Sequence, residues 1–143
     1  MKLRHEVSLE TLRQRAAIGL PHLIGLQVVL LQENALLMRM PIKPELLAPN
    51  GYLHAASVIA LADTCCGFAC AAHLPDGAVN FTTIELKTNF LGTATEGTLE
   101  AEARAAHLGR TTQVWDAPVR HVETGKTIAL FRCTQMVLWP KSA

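Results

Sequence analysis

The sequence predicts an α+β fold in which one antiparallel, curved sheet wraps a single long buried helix. Three features carry this expectation. Residues 54–73 hold seven alanines, no proline and one charge, Asp63, a composition that suits a helix of about 30 Å covered by protein on nearly every side. Downstream, four successive segments read as strands with connections too short for parallel neighbours. Upstream, a short helix and a hairpin complete the order.

Ser8 is placed to cap a helix over 8–18, in which Leu9, Leu12 and Ala16 recur at three- and four-residue spacing before Gly19-Leu20-Pro21 ends it. Residues 26–31 and 35–40 are apolar runs on either side of Gln32-Glu33-Asn34, a hairpin signal, and Pro41, Pro44 and Pro49 mark the following loop. Within 79–91, Ile84, Leu86 and Phe90 fall on one face, with Thr83, Glu85, Lys87 and Asn89 on the other. After a turn over 92–97, Leu99, Ala101, Ala103 and Ala105 alternate with Glu100, Glu102 and Arg104. Gly109-Arg110 turns the chain again. Residues 111–121 and 127–138, separated by Glu123-Thr124-Gly125-Lys126, close an expected four-strand meander. The small side chains of Ala55, Ala56, Ala60, Ala62, Ala69 and Ala71 allow a curved sheet to approach the long helix closely.

The 143 residues are 50% hydrophobic and 17% charged, with a formal net charge of +1. That size and balance fit one domain, 1–143, with its own core. They supply no field for nucleic acid or an anionic membrane. Residues 1–19 carry Lys2, Arg4, Glu6, Glu10, Arg13 and Arg15 rather than an apolar signal core, so a cytoplasmic location is expected. Cys65, Cys66, Cys70 and Cys133 form no spaced framework and suit a reducing compartment. A membrane-spanning reading of 54–73 is opposed by Asp63, which at mid-span adds about 2.5–3.5 kcal/mol against insertion. Cys66, Cys70 and His73 share a helix face, a pattern that hints at zinc; small buried thiols explain it better, and no metal site is expected. The sequence has neither a Gly-rich phosphate loop nor a Gly-x-Ser-x-Gly elbow, which directs away from nucleotide-dependent and serine-hydrolase chemistry.

Gly51-Tyr52-Leu53-His54-Ala55-Ala56 followed by Leu61-Ala62-Asp63-Thr64 resembles the Gly-x-Leu-His-Gly-Gly and Leu-Ala-Asp/Glu signature of hotdog-fold acyl-CoA thioesterases, of the PaaI and Arthrobacter-type 4-hydroxybenzoyl-CoA thioesterase kind. The resemblance runs from about residue 20 to residue 138. His107-Leu108-Gly109-Arg110 with Gln113 and Trp115 is similar to the branch containing 1,4-dihydroxy-2-naphthoyl-CoA thioesterases. The resemblance implies a hotdog fold, hydrolysis of a small, medium-chain or aromatic acyl-CoA, and no cofactor, coenzyme A being part of the substrate. It implies Asp63 as nucleophile or general base, His54 positioning the carbonyl, and the Ala55 N–H as oxyanion donor. Thr83 matches a Ser or Thr that some members hold near the attacking water. Coenzyme A contacts are implied at Phe90, Leu91, Gly92 and Thr93, and at His107, Gly109, Arg110 and Thr111. The sequence departs from the family pattern at Ala48, at Ala55-Ala56 and at Gly67.

Elementary chemistry agrees with these roles. A helix start offers unpaired N–H groups and a positive dipole end to an oxyanion, and a carboxylate in an apolar helix is costly unless used or paired. Nine residues separate His54 from Asp63, two and a half turns and roughly 13 Å of rise, so the two side chains leave opposite sides of the helix. If one carbonyl meets both, two chains share the site, and a homodimer or a dimer of dimers is expected. Two other readings stand beside hydrolysis. One is a hotdog protein that binds acyl-CoA or lipid without catalysis, motivated by the departures. The other is a hydratase or dehydratase, although neither a His-Phe-Pro nor an Asp-x-Asn-Pro-x-His segment is present.

Overall fold

A computed structural model describes residues 2–141. Helix α1 (Leu9–Ala16) starts at a reciprocal cap: Ser8 Oγ accepts from Thr11 N at 3.2 Å while Ser8 N donates to Thr11 Oγ1 at 2.9 Å. Leu12 and Ala16 are its buried pair, as the spacing predicts. The expected stop at Gly19-Leu20-Pro21 is instead a second short helix, α2 (Gly19–Leu23). Pro21 falls in its first turn, where a missing N–H costs nothing. Strands β1 (Gln27–Gln32) and β2 (Ala35–Pro41) form the expected hairpin. Gln32 pairs with Ala35 across a two-residue loop, with Asn34 at φ 63°. A single 3-10 turn, Pro44–Leu46, occupies the proline-marked loop.

Helix α3 (Ala55–Ala72) is capped by the two histidines that bound the alanine-rich run, His54 and His73. Strands β3 (Asn80–Phe90), β4 (Thr98–Leu108), β5 (Thr112–His121) and β6 (Thr127–Leu138) follow. All six strands join one sheet in the order β1-β2-β4-β5-β6-β3, every pair antiparallel. The meander therefore holds for β4, β5 and β6 but not for β3, which lies at the far edge against β6. Residues 91–97 are a crossing, not a hairpin turn. They carry the chain past β6 and β5, anchored by Leu91 N to Ile128 O (2.8 Å), Leu53 N to Ala94 O (3.0 Å) and Ile42 N to Gly97 O (2.8 Å). The burial pattern explains the placement: β4, β5 and β6 alternate cleanly for most of their length, whereas β3 is exposed along both faces and suits an edge.

A bulge between Thr83 and Glu85 corrects the expected faces of β3. Thr83 pairs with buried Gln135, whereas Leu86, Thr88 and Phe90 pair with Cys133, Phe131 and Ala129, so Ile84 is the extra residue at which the inward phase moves. Thr83 thus faces α3 and does not share a face with Glu85.

The concave side of the sheet meets α3 through small groups: Ala101, Ala103, Ala117 and Ala129 are all fully buried. Cys65 Sγ lies 3.3 Å from Leu36 O and 3.4 Å from Ala101 O, two acceptors for its one proton, so helix and sheet touch almost backbone to backbone. One sheet covers one side. Contrary to the expectation of cover on nearly every side, Ala55 and Ala56 are exposed, and Ile59, Ala60, Asp63, Thr64 and Phe68 are only half-buried.

At the far end of α3, His73 is fully buried with both ring nitrogens engaged. Nδ1 donates to Ala69 O (2.7 Å) and Nε2 accepts from Asn34 N (2.8 Å), which defines a neutral ring that has no lone pair left for a metal. Gln113 Nε2 donates to His73 O (2.7 Å) and Trp115 Nε1 to Gln113 Oε1 (3.0 Å). Burial pushes the His73 pKa below 6.5. The unfolded chain therefore binds this proton more readily, and stability falls as pH drops below 6.5 toward the native pKa. Urea midpoints should decline between pH 7 and 5, and His73→Gln should flatten that decline. An unchanged slope in the variant would remove His73 from the acid response.

Candidate active site

The 3-10 turn organises the start of α3. Leu46 O accepts from His54 N (3.0 Å) and from Ser57 Oγ (2.8 Å), while Leu53 N is tied to the 91–97 crossing. His54 Nδ1 caps the helix by accepting from Ala56 N at 2.9 Å. A neutral imidazole that accepts at Nδ1 carries its proton on Nε2, so His54 presents a donor away from its own helix. Ala55 occupies the first helical position, where its N–H has no acceptor within the helix. Two donors therefore sit together at a positive helix end, both on exposed residues.

Asp63 is the only charged residue of α3. It lies half-buried on the stripe that the sheet leaves open, with Oδ1 3.5 Å from Thr83 Oγ1. Burial raises its pKa above the ordinary 3.8. The departure at Gly67 has a structural counterpart: a Cβ there would stand 3.3 Å from Phe81 Cζ. The Phe81 ring fills the space one helical turn beyond Asp63, and the nearby hydroxyl comes from β3 instead of α3.

Asp63 and Thr83 are brought together, as are His54 and Ala55, but the two pairs remain separate within the chain, as the half-turn offset requires. The other residues implied by resemblance split between opposite ends of the sheet. Phe90, Leu91, Gly92 and Thr93, all exposed, lie where β3 ends beside Ala129 and Ile128. His107 is the penultimate residue of β4, and Gly109, Arg110 and Thr111 form the β4–β5 turn, where Val137 N donates to Thr111 O (2.8 Å). Ala129 and Val137 are eight residues apart on β6, about 26 Å of strand. At that turn the Arg110 guanidinium stacks 4.3 Å above the Trp139 ring, whose Nε1 donates to Arg110 O (3.2 Å). Gly109 is required by close approach, because a Cβ there would fall 2.5 Å from His107 Nε2 and 2.9 Å from Thr112 O.

A profile of the thioesterase superfamily matches residues 50–133, the span that holds both halves of this site. The chain belongs to the thioesterase superfamily. The expected hotdog fold and thioester-hydrolase class agree with its relatives. It is 28% identical over 117 residues to the 1,4-dihydroxy-2-naphthoyl-CoA hydrolase of Listeria monocytogenes, spanning 82% of this chain and 94% of that protein. It is 28% identical over 110 residues to the acyl-coenzyme A thioesterase PaaI of Escherichia coli, spanning 76% of this chain and 75% of that protein. Among solved structures, a mutant thioesterase from Pseudomonas aeruginosa superposes with a TM-score of 0.89 at 28% identity, covering 96% of this chain and 99% of that one. A thioesterase from Haemophilus influenzae gives 0.88 at 27% identity, covering 96% and 95%.

Sequence reasoning missed Gln135 and Phe81, both beside the Asp63 environment. The signal for Gln135 was a polar residue in the buried phase of β6, among Phe131, Cys133 and Val137.

The raised Asp63 pKa has a stability consequence. Between pH 3.8 and the native pKa the folded chain holds a proton that the unfolded chain has released, so stability falls as pH rises through that window. Asp63→Asn should therefore melt above the wild type at pH 7 by calorimetry and lose that advantage as pH approaches 3.8. An equal or lower Tm at pH 7 would contradict the assignment.

Proposed function

We propose that this chain hydrolyses acyl-CoA thioesters, releasing a free acid and coenzyme A, at sites shared between two copies of itself. One observation carries the reading: the sole charge of the core helix is a carboxylate of raised pKa on the one stripe that its own sheet leaves uncovered. The 1,4-dihydroxy-2-naphthoyl-CoA hydrolase among the relatives supports an aromatic acyl group, small and medium-chain groups are kept beside it as substrates, and the enzyme is assigned to the cytoplasm. No cofactor enters the chemistry.

In the base form of the mechanism, Asp63 takes a proton from water and the water oxygen bonds to the thioester carbon. The oxyanion is held by the Ala55 N–H and the His54 Nε2–H. The C–S bond then breaks, and the departing thiolate recovers the proton from Asp63. In the nucleophile form, a carboxylate oxygen of Asp63 attacks the thioester carbon, the C–S bond breaks to release the thiolate, and water hydrolyses the resulting anhydride, freeing the acid and Asp63 and supplying the proton that the thiolate takes up. Both forms use the same donors. The binding-only reading loses part of its motive, since Phe81 occupies the space left by Gly67 and Thr83 brings a hydroxyl to Asp63.

Sharing between copies has its own support. β3 is an 11-residue edge strand with exposed Ile84, Leu86 and Phe90 and no proline, an edge that invites pairing. Antiparallel pairing of two β3 edges about a two-fold axis would set the Phe90 end of one chain beside the Asn80 end of the other. That brings the helix start of one chain, tied to Ala94, toward Asp63 of its neighbour. It also brings the Phe90 and Arg110 groups to one place, for coenzyme A. Either a dimer or a dimer of dimers contains this unit.

Thiol release from a panel of acetyl-, hexanoyl-, benzoyl-, phenylacetyl- and 1,4-dihydroxy-2-naphthoyl-CoA tests the activity. Asp63→Asn should lower turnover on the order of 100-fold or more. His54→Ala and Asp63→Asn subunits refolded together should recover activity, because about half of randomly mixed dimers are hybrids with one intact site each, or a quarter of all sites. Normal turnover in Asp63→Asn removes that residue from the mechanism, and mass-verified hybrids without activity refute the shared site.

Ala55 separates the oxyanion donor from the helix it starts. Proline fits a first helical position, and His54 at φ −68°, ψ 135° already has the backbone that a following proline demands. Ala55→Pro should therefore fold by circular dichroism yet lose most activity, while Ala55→Gly keeps it. Equal activity of the two would place the donor elsewhere.

A further inference from the structure

We propose that Gln135 is a positioning residue for this reaction, holding the Thr83 hydroxyl so that its proton points away from Asp63. The inference rests on the assignment of Asp63 above and extends it to a residue that touches neither substrate nor the carboxylate.

Gln135 is fully buried in the inward phase of β6, where its neighbours of the same phase are Phe131, Cys133 and Val137. A buried amide is unfavourable unless its hydrogen bonds are made, and an apolar side chain of similar length would avoid the problem. Both ends are satisfied. Nε2 donates to Cys133 Sγ at 3.3 Å, and Oε1 accepts from Thr83 Oγ1 at 2.9 Å. Thr83 and Gln135 are direct cross-strand partners, and the bulge begins at the next residue, so Thr83 is the last β3 side chain before the inward phase moves.

A threonine hydroxyl has one proton. Two acceptors compete for it here: Gln135 Oε1 at 2.9 Å and Asp63 Oδ1 at 3.5 Å. The shorter contact takes the proton, which leaves a Thr83 lone pair on the Asp63 side. A water lying against both Thr83 Oγ1 and Asp63 Oδ1 would then find two acceptors and no competing donor. That arrangement orients its hydrogens toward the base and keeps the carboxylate from being quieted by a strong donor. The titratable neighbours on the elements around Asp63 are Cys66 on α3 itself, whose thiol burial holds neutral, and Cys133 on β6 beyond Gln135. Remove the Gln135 acceptor, and the Thr83 proton turns to Asp63.

This predicts a specific signature. Gln135→Met keeps the length and burial of the side chain but accepts only weakly. With the fastest acyl-CoA of the panel, it should lower kcat about five- to tenfold with KM little changed, the scale of one positioned hydrogen bond. It should also move the acid limb of the kcat/KM profile to lower pH, because a donor now stabilises the carboxylate. The shift needs the hydroxyl, so Gln135→Met in a Thr83→Val background should leave the limb where Thr83→Val alone puts it. If Gln135→Met does not fold, Gln135→Asn, which withdraws the amide by one methylene, is read in the same way. An unmoved acid limb, or losses that multiply independently in the double variant, overturns the proposal. Failure of the underlying reading is distinct: it appears as normal turnover in Asp63→Asn.

Discussion

The close approach of α3 to the curved sheet is the constraint from which the rest of the molecule follows. Alanine on β4, β5 and β6 faces alanine and cysteine on the helix, and the Cys65 thiol reaches two sheet carbonyls at 3.3 and 3.4 Å. Contact at that distance excludes large side chains from much of the interface. Bulk is supplied instead by Leu61, Met38, Met40, Leu99 and Trp115, all fully buried. Protein interiors are close-packed, so an interface built from small groups tolerates little added volume.

A single sheet wrapped around a helix leaves the helix back unfilled. In this chain the open stripe carries the only charge of α3, the open edge strand β3 exposes Ile84, Leu86 and Phe90, and the open helix end carries two uncommitted donors. These three kinds of incompleteness lie on surfaces that a second copy can cover in one act. An oxyanion donor exposed to water is weak, and it gains strength when a neighbour excludes solvent. In the proposed shared-site reading, oligomerisation and catalysis draw on the same unsatisfied surfaces.

Buried polar side chains place the pieces. His73, Gln113 and Trp115 form a closed chain of hydrogen bonds that ties the end of α3 to the β1–β2 turn and to β5. Gln135 and Thr83 tie β6 to β3 beside Asp63. In both cases a polar residue sits in the buried phase of a strand, where an apolar one would pack without obligation. Fully satisfied networks of this kind restrict register as well as lend stability.

Much of this was legible in the linear order of residues. The alanine-rich run between two histidines marked the core helix, because helix-forming residues and caps act over a few positions. The nine-residue interval marked its two chemical ends, because helix geometry is regular. The second helix at Gly19, the bulge at Ile84 and the edge position of β3 were not legible. Local propensity does not say which strand a strand will pair with, and a bulge inverts every later face while adding nothing to composition. The pairing of β3 with β6 alone brought Gln135, 52 residues away, against Thr83. The sequence by itself thus determined which side chains are candidates for the chemistry, since those depend on residue type and helical spacing. Only the tertiary structure decided what stands beside them, since that depends on which distant backbones share hydrogen bonds.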